Sequence, residues 1–180
     1  VSAVAVNPSR FDQNHFALLG LSPDFQIDLN QLDTARQRVQ AVVHPDRFAS
    51  AGPAQKRLAL QWSTRIHEAY ETLREPLKRA TYLLTLKGIS VDAEQNTRMP
   101  LAFLEQQMEW REALEAARSA GEGARRVQLV QLKEACAQAH QSGLERLTAL
   151  LAQTNDEALA EAAAQVRALM FIEKFSEELR

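Results

Sequence analysis

The chain has 180 residues, a formal net charge of −2 and a pI near 6.1, with 46% hydrophobic and 24% charged residues. That is enough for one full core or two small ones. The balance is ordinary for a globular protein, and it removes any global pull toward nucleic acid or an anionic membrane. One cysteine, Cys136, excludes an intramolecular disulfide and a Cys-rich zinc motif and fits a reducing compartment, and no apolar run reaches the roughly 18–20 residues of a membrane span.

In chain order, Val1 to Val6 are apolar but lack a basic flank, and read as a loose terminus rather than a signal peptide. Phe16-Ala17-Leu18-Leu19-Gly20 predicts a short helix closed by its glycine, with Ser22-Pro23 opening a loop. A second helix should begin at Asp28, with Gln31 completing a capping box and Ile27 and Leu32 placed as a hydrophobic staple. Its apolar positions Leu29, Leu32, Ala35, Val39 and Val42 recur at three or four residues. Pro45 has no N–H and turns His44 away from helical geometry, so this helix ends there. A third helix starts near Pro53 and carries Leu58, Trp62, Ile66, Ala69, Tyr70 and Leu73 on one stripe. The two stripes predict an antiparallel hairpin that presents His44-Pro45-Asp46-Arg47-Phe48 on its connecting loop. Pro76 opens a fourth segment, Leu77 to Lys87, ended by Gly88.

Residues 88–99 are polar and aperiodic and mark a boundary. Three helices follow, over about 100–119, 124–152 and 155–179, broken by Gly121-Glu122-Gly123 and restarted by a capping box of Thr154 with Glu157. Long helices with short turns predict an antiparallel three-helix bundle. The first of these helices has two apolar faces: Phe103, Trp110 and Leu114 on one side, Leu101, Leu104 and Met108 on the other, with Glu105, Arg111 and Glu112 beside them. The last has the same doubling, with Leu159, Ala162, Ala163, Val166 and Met170 opposed to Phe171, Ile172, Phe175 and Leu179. Two readings fit: both faces are buried, the second against the N-terminal part, or an apolar patch with a charged rim is left open for a partner.

His15, His44, His67 and His140 do not make up a zinc-ligand set with the single cysteine, which argues against a metal site. His67, beside Glu68, reads as structural or solvated, and Cys136, among Leu129, Leu132 and Ala139, as a buried small hydrophobe. His44 and Asp46 have the chemistry of an acid–base pair, but no Gly-rich loop, activated Ser or Cys site, or second carboxylate cluster accompanies them, so the reading is not an enzyme. Arg36, Arg38, Arg47, Lys56 and Arg57 form either a solvated face or a docking surface for an acidic partner.

With helix, His44-Pro45-Asp46, helix, the N-terminal part resembles a J-domain, the module by which DnaJ-type cochaperones stimulate ATP hydrolysis by DnaK-type chaperones. Glu75-Pro76-Leu77-Lys78-Arg79-Ala80-Thr81-Tyr82-Leu83-Leu84, and then Leu101-Ala102-Phe103-Leu104-Glu105-Gln106-Gln107-Met108-Glu109-Trp110-Arg111-Glu112, resemble the HscB family, J-type cochaperones of iron–sulfur cluster assembly. The resemblance runs from about Phe16 to Phe175, and the Gly/Phe region and CxxC repeats of a general DnaJ are not in the chain. It implies an all-α protein with a J-domain over 1–88, a linker over 89–99 and a scaffold-binding three-helix bundle over 100–180. It implies that His44, Pro45 and Asp46 stimulate the ATPase of an HscA-type chaperone, and that Arg36, Arg38 and Arg47 dock on it. Leu104, Glu105, Met108 and Phe171 would bind an IscU-type scaffold protein, with Glu109, Arg111 and Glu112 at the rim. No cofactor, metal, nucleic acid or membrane enters, and the bacterial type, without the zinc-binding extension of animal relatives, implies a cytoplasmic protein. The chain departs from the family pattern at Val43, at Gln40-Ala41 and at Glu105. A general J-protein, or a helical nucleic-acid-binding or regulatory protein, are the alternatives.

Overall fold

The computed structural model of the chain describes residues 12–91 and 99–180 apart from Ala49. Val1 to Val6 and most of the expected linker lie outside the described residues. Among those described, the elements are all helical: α1 (His15–Leu19), α2 (Leu29–Val43), a 3-10 turn (Pro45–Phe48), α3 (Pro53–Arg74), α4 (Pro76–Leu86), α5 (Leu101–Ser119), α6 (Glu122–Leu151) and α7 (Asp156–Glu178). The chain divides into two compact units, Val1–Leu83 and Leu84–Arg180, and the division falls inside α4.

In the first unit, α2 and α3 form the expected hairpin. Asp28 caps α2 by accepting the Asn30 N–H at 2.8 Å. The buried stripe of α2 is Leu32, Ala35, Val39 and Val43. Val43 takes the place expected for Val42, and Leu29 is exposed in the first turn, because the 3.6-residue period carried on from Val39 falls on Val43. The α3 stripe buries Trp62, Ile66, Ala69, Tyr70 and Leu73. The hairpin is tied where α2 begins and α3 ends: the Tyr70 hydroxyl donates to Asp33 at 2.7 Å, and the Arg36 guanidinium lies 4.3 Å above the Tyr70 ring.

Short α1 closes this unit. Asn14 caps it through the Ala17 N–H at 2.9 Å, and Gly20 ends it with a φ of 72°, a left-handed conformation that a side chain disfavours. His15 is buried and stacks on Tyr82 of α4, with ring centroids 4.2 Å apart, while its backbone N–H donates to the Tyr82 hydroxyl at 2.9 Å. Also from α4, buried Arg79 donates to the Leu73 carbonyl in the last turn of α3 and lies over the Phe25 ring. An arginine thus serves the carbonyl end of α3 that Pro76 cannot continue.

The second unit contains the three-helix bundle. Arg146 pairs with Glu161, and His140 with Glu173 at 3.3 Å. Along the sequence the two pairs step in opposite directions, so α6 and α7 are antiparallel. At Gly143 the helices approach closely: a Cβ there would meet Leu169 Cδ2 at 2.7 Å and Gln165 Nε2 at 2.8 Å. Two boundaries shift. α6 starts at Glu122 and takes Gly123 into the helix. α7 is capped by Asn155, which accepts the Ala158 N–H at 2.8 Å, rather than by Thr154 with Glu157.

His15 makes the first unit acid-sensitive. Burial pushes its imidazole below the usual histidine range, and Arg65 adds to this against an opposing pull from Glu68. The unfolded chain therefore binds the proton more readily. The stability tied to neutral His15 is complete above the unfolded value of about 6.5 and is lost as the pH falls below it. Thermal melts at about pH 7.5 and about pH 5.5 should show a larger fall in Tm for the parent than for His15→Phe, which keeps an aromatic ring on Tyr82 without a titrating nitrogen.

Candidate functional site

The loop between α2 and α3 is built around a missing donor. In a continuing helix the amide of residue 45 would bond to the Ala41 carbonyl, and proline has no N–H. The Arg47 guanidinium supplies the bond instead, donating to the Ala41 carbonyl at 3.1 Å. His44 leaves the helix with φ −57° and ψ 129°, the extended geometry imposed before proline, and its carbonyl accepts the Arg47 N–H at 3.0 Å. His44 Nδ1 accepts the backbone N–H of Asp46 at 3.3 Å. The Asp46 carboxylate lies 3.5 Å from the same nitrogen. Nδ1 is taken up by the backbone amide, and the carboxylate contact is a loose approach rather than a hydrogen bond. Asp46 is 89% exposed, so the loop offers a fixed backbone and a carboxylate open to a partner.

The three arginines expected to dock are not on one face. Arg36 lies on the α3 side of α2, over Tyr70, while Arg38 lies on the α1 side, donating to the Leu19 carbonyl at 3.4 Å. The cause is helical geometry, since residues two apart are turned by about 200°. Arg47 is held on the loop it helps to close. That role was missed in the sequence, although the signal was there: Pro45 at the helix end leaves the Ala41 carbonyl in need of a donor.

In the bundle, α5 has the two faces expected of it. Trp110 and Leu114 are buried and Phe103 is half-buried, whereas Leu101, Leu104 and Met108 are 72%, 41% and 63% exposed. Glu105, Glu109, Arg111 and Glu112 are exposed beside them. Phe171 differs from the others expected here. It is half-buried, edge-on to Phe103 at 5.8 Å and stacked with Phe175 at 6.1 Å, and Phe175 in turn stacks on Trp110 at 5.7 Å. The second stripe of α7, with Ile172 and Phe175, is buried, and its rings pack on α5, while Met170, expected in the first stripe, is 40% exposed. A helix packed on two neighbours needs two apolar stripes. Phe171 reaches the outer face through Arg111, whose guanidinium lies 5.8 Å from its ring centroid.

Among the described residues no group of three His, Cys, Asp or Glu is arranged to hold a metal, and no helix is long and apolar enough to cross a membrane. Cys136 is buried, and burial pushes its thiol up against the opposing effect of a hydrogen bond with Ser176. Truncation separates the two kinds of apolar residue. Phe171→Ala should cost about 1–3 kcal/mol in denaturant unfolding, below a fully buried phenylalanine. Met108→Ala should stay within about 0.5 kcal/mol of the parent.

Residues 99–180 match the family model described as the HSCB C-terminal oligomerisation domain. A co-chaperone protein HscB homolog of Burkholderia multivorans is 52% identical over 167 residues, covering 92% of this chain and 91% of that protein. One from Paraburkholderia xenovorans is 50% identical over 169 residues, 93% of each. Among solved structures, chaperone HscB from Vibrio cholerae is 34% identical with a TM-score of 0.77, covering 93% of this chain and 95% of its own. The human co-chaperone protein HscB is 25% identical with a TM-score of 0.81, covering 96% and 82%.

Proposed function

Because the chain belongs to the HscB co-chaperone family, we propose that it acts as a cytoplasmic cochaperone of iron–sulfur cluster assembly, stimulating the ATPase of an HscA-type chaperone and delivering an IscU-type scaffold protein to it. The working parts are a J-domain over 1–88, a linker over 89–99 and a scaffold-binding bundle over 100–180. His44, Pro45 and Asp46 act on the chaperone. Arg38 and Arg47 dock it from the α1 side of α2 and the loop, and Arg36 contributes from the opposite flank. Leu104 and Met108 anchor the scaffold, with Phe171 joining through Arg111 and Glu105, Glu109 and Glu112 around them. The chain carries no reaction of its own in this reading.

One observation carries the proposal: the protein combines a hydrogen-bonded loop carrying an exposed carboxylate with a separate bundle that leaves three aliphatic side chains in water. The first suits a contact with a cation on a partner, the second the desolvated centre of an interface. Carrying both on one chain makes the second encounter intramolecular, which raises the local concentration of scaffold at the chaperone.

Asp46→Asn tests it. The side chain stands in solvent, so the variant should melt like the parent. Stimulation of steady-state ATP hydrolysis by an HscA-type chaperone should be lost. Parent-like stimulation at saturating variant would remove the loop from the mechanism.

A further inference from the structure

We propose that Leu101 is a third aliphatic anchor of the scaffold-docking face, and that the scaffold surface it meets is an aliphatic pocket edged by basic side chains. This rests on the reading of the outer α5 face as the scaffold site.

Leu101 is the most exposed of the three, at 72% against 63% for Met108 and 41% for Leu104. The three fall at i, i+3 and i+7, a stripe about 10 Å long within about 60° of the helix surface. Single exposed leucines are ordinary, but a continuous aliphatic stripe on one face is not. Nor does Leu101 serve the helix end. α5 begins at Pro100-Leu101 with no side-chain cap, where a polar residue would have satisfied the free amides. Including Leu101 also changes the geometry of the face. With two anchors Leu104 lies at the edge; with three it lies at the centre, flanked on both sides, where binding energy concentrates.

The charge beside the stripe sets the chemistry of its partner. Glu105 is one turn after Leu101, Glu109 one turn further, and Glu112 follows, all exposed on one flank. Like charges at this spacing disfavour the isolated helix. Among the described residues none of the three is in an ion pair. Arg111 lies on the other flank and is held over Phe171. A surface that covers the aliphatic stripe therefore brings its near edge against carboxylates, which favours lysine or arginine there.

The test is titration calorimetry of the full chain with an IscU-type scaffold, with melting curves alongside. Leu101→Gln should bind at least tenfold more weakly and melt like the parent. Glu105→Lys should also bind more weakly and lose part of the salt dependence shown by the parent. Leu104→Gln is the reference. If Leu104→Gln is impaired and Leu101→Gln binds like the parent, Leu101 is no anchor and only this inference falls. If Leu104→Gln and Met108→Gln also bind like the parent, the α5 face is not the scaffold site and the wider reading falls with it. A clear drop in the melting temperature of Leu101→Gln would place the side chain in the protein's own packing and overturn the proposal. Parent-like affinity and salt dependence in Glu105→Lys would overturn the basic edge.

Discussion

Proline lacks an amide hydrogen, and the J-domain is arranged around that single missing donor. Proline at residue 45 keeps the helix from running on through the loop. Instead α2 stops, Arg47 closes the free Ala41 carbonyl, and a 3-10 turn carries the chain across to α3. The packing of α2 on α3 fixes where this turn stands. Tyr70, Asp33 and Arg36 hold the hairpin at its far end, so the loop is anchored by groups that never touch it. The charged residues of the loop thus rest on a backbone held by the His44 carbonyl, the Asp46 amide and the Ala41 carbonyl bonds.

The fold was largely readable because its signals are local. Helix spans follow from prolines, glycines and a 3.6-residue stripe, and these placed α3 from Pro53 and closed α1 at Gly20. The errors are one or two residues wide and share a cause. Thr154 and Asn155 are both competent caps, and only the backbone decides which one sits before the first helical turn. Val42 and Val43 both lie near the core-facing side of α2, and packing selects Val43. The outer face of α5 was readable for the same reason, since periodicity alone separates Leu104 and Met108 from Trp110.

Other parts of the candidate site were not readable, because they depend on contacts distant in sequence. Arg36 and Arg38 look like one basic cluster in a string of letters, yet Tyr70 and the Leu19 carbonyl draw them to opposite flanks. Phe171 falls off the main stripe of α7, which suggested exposure; Phe103 and Phe175 enclose it. The bundle therefore has an aromatic ladder inside and an aliphatic stripe outside, joined at Arg111. A change at Phe171 is felt by both, so loss of partner binding in such a variant mixes contact with support.

The division between the two units falls within α4 rather than in a loop. Its consequence is for modularity. A helix interior has its amides bonded and resists a protease, unlike the loop tips where chains are usually nicked or joined. Tyr82, which clasps His15, and Arg79, which finishes α3, are both carried on α4. Transplanting the J-domain onto another chain thus demands the whole of that helix, and a fusion cut at the division itself would sever the last turn from the residues that close the module.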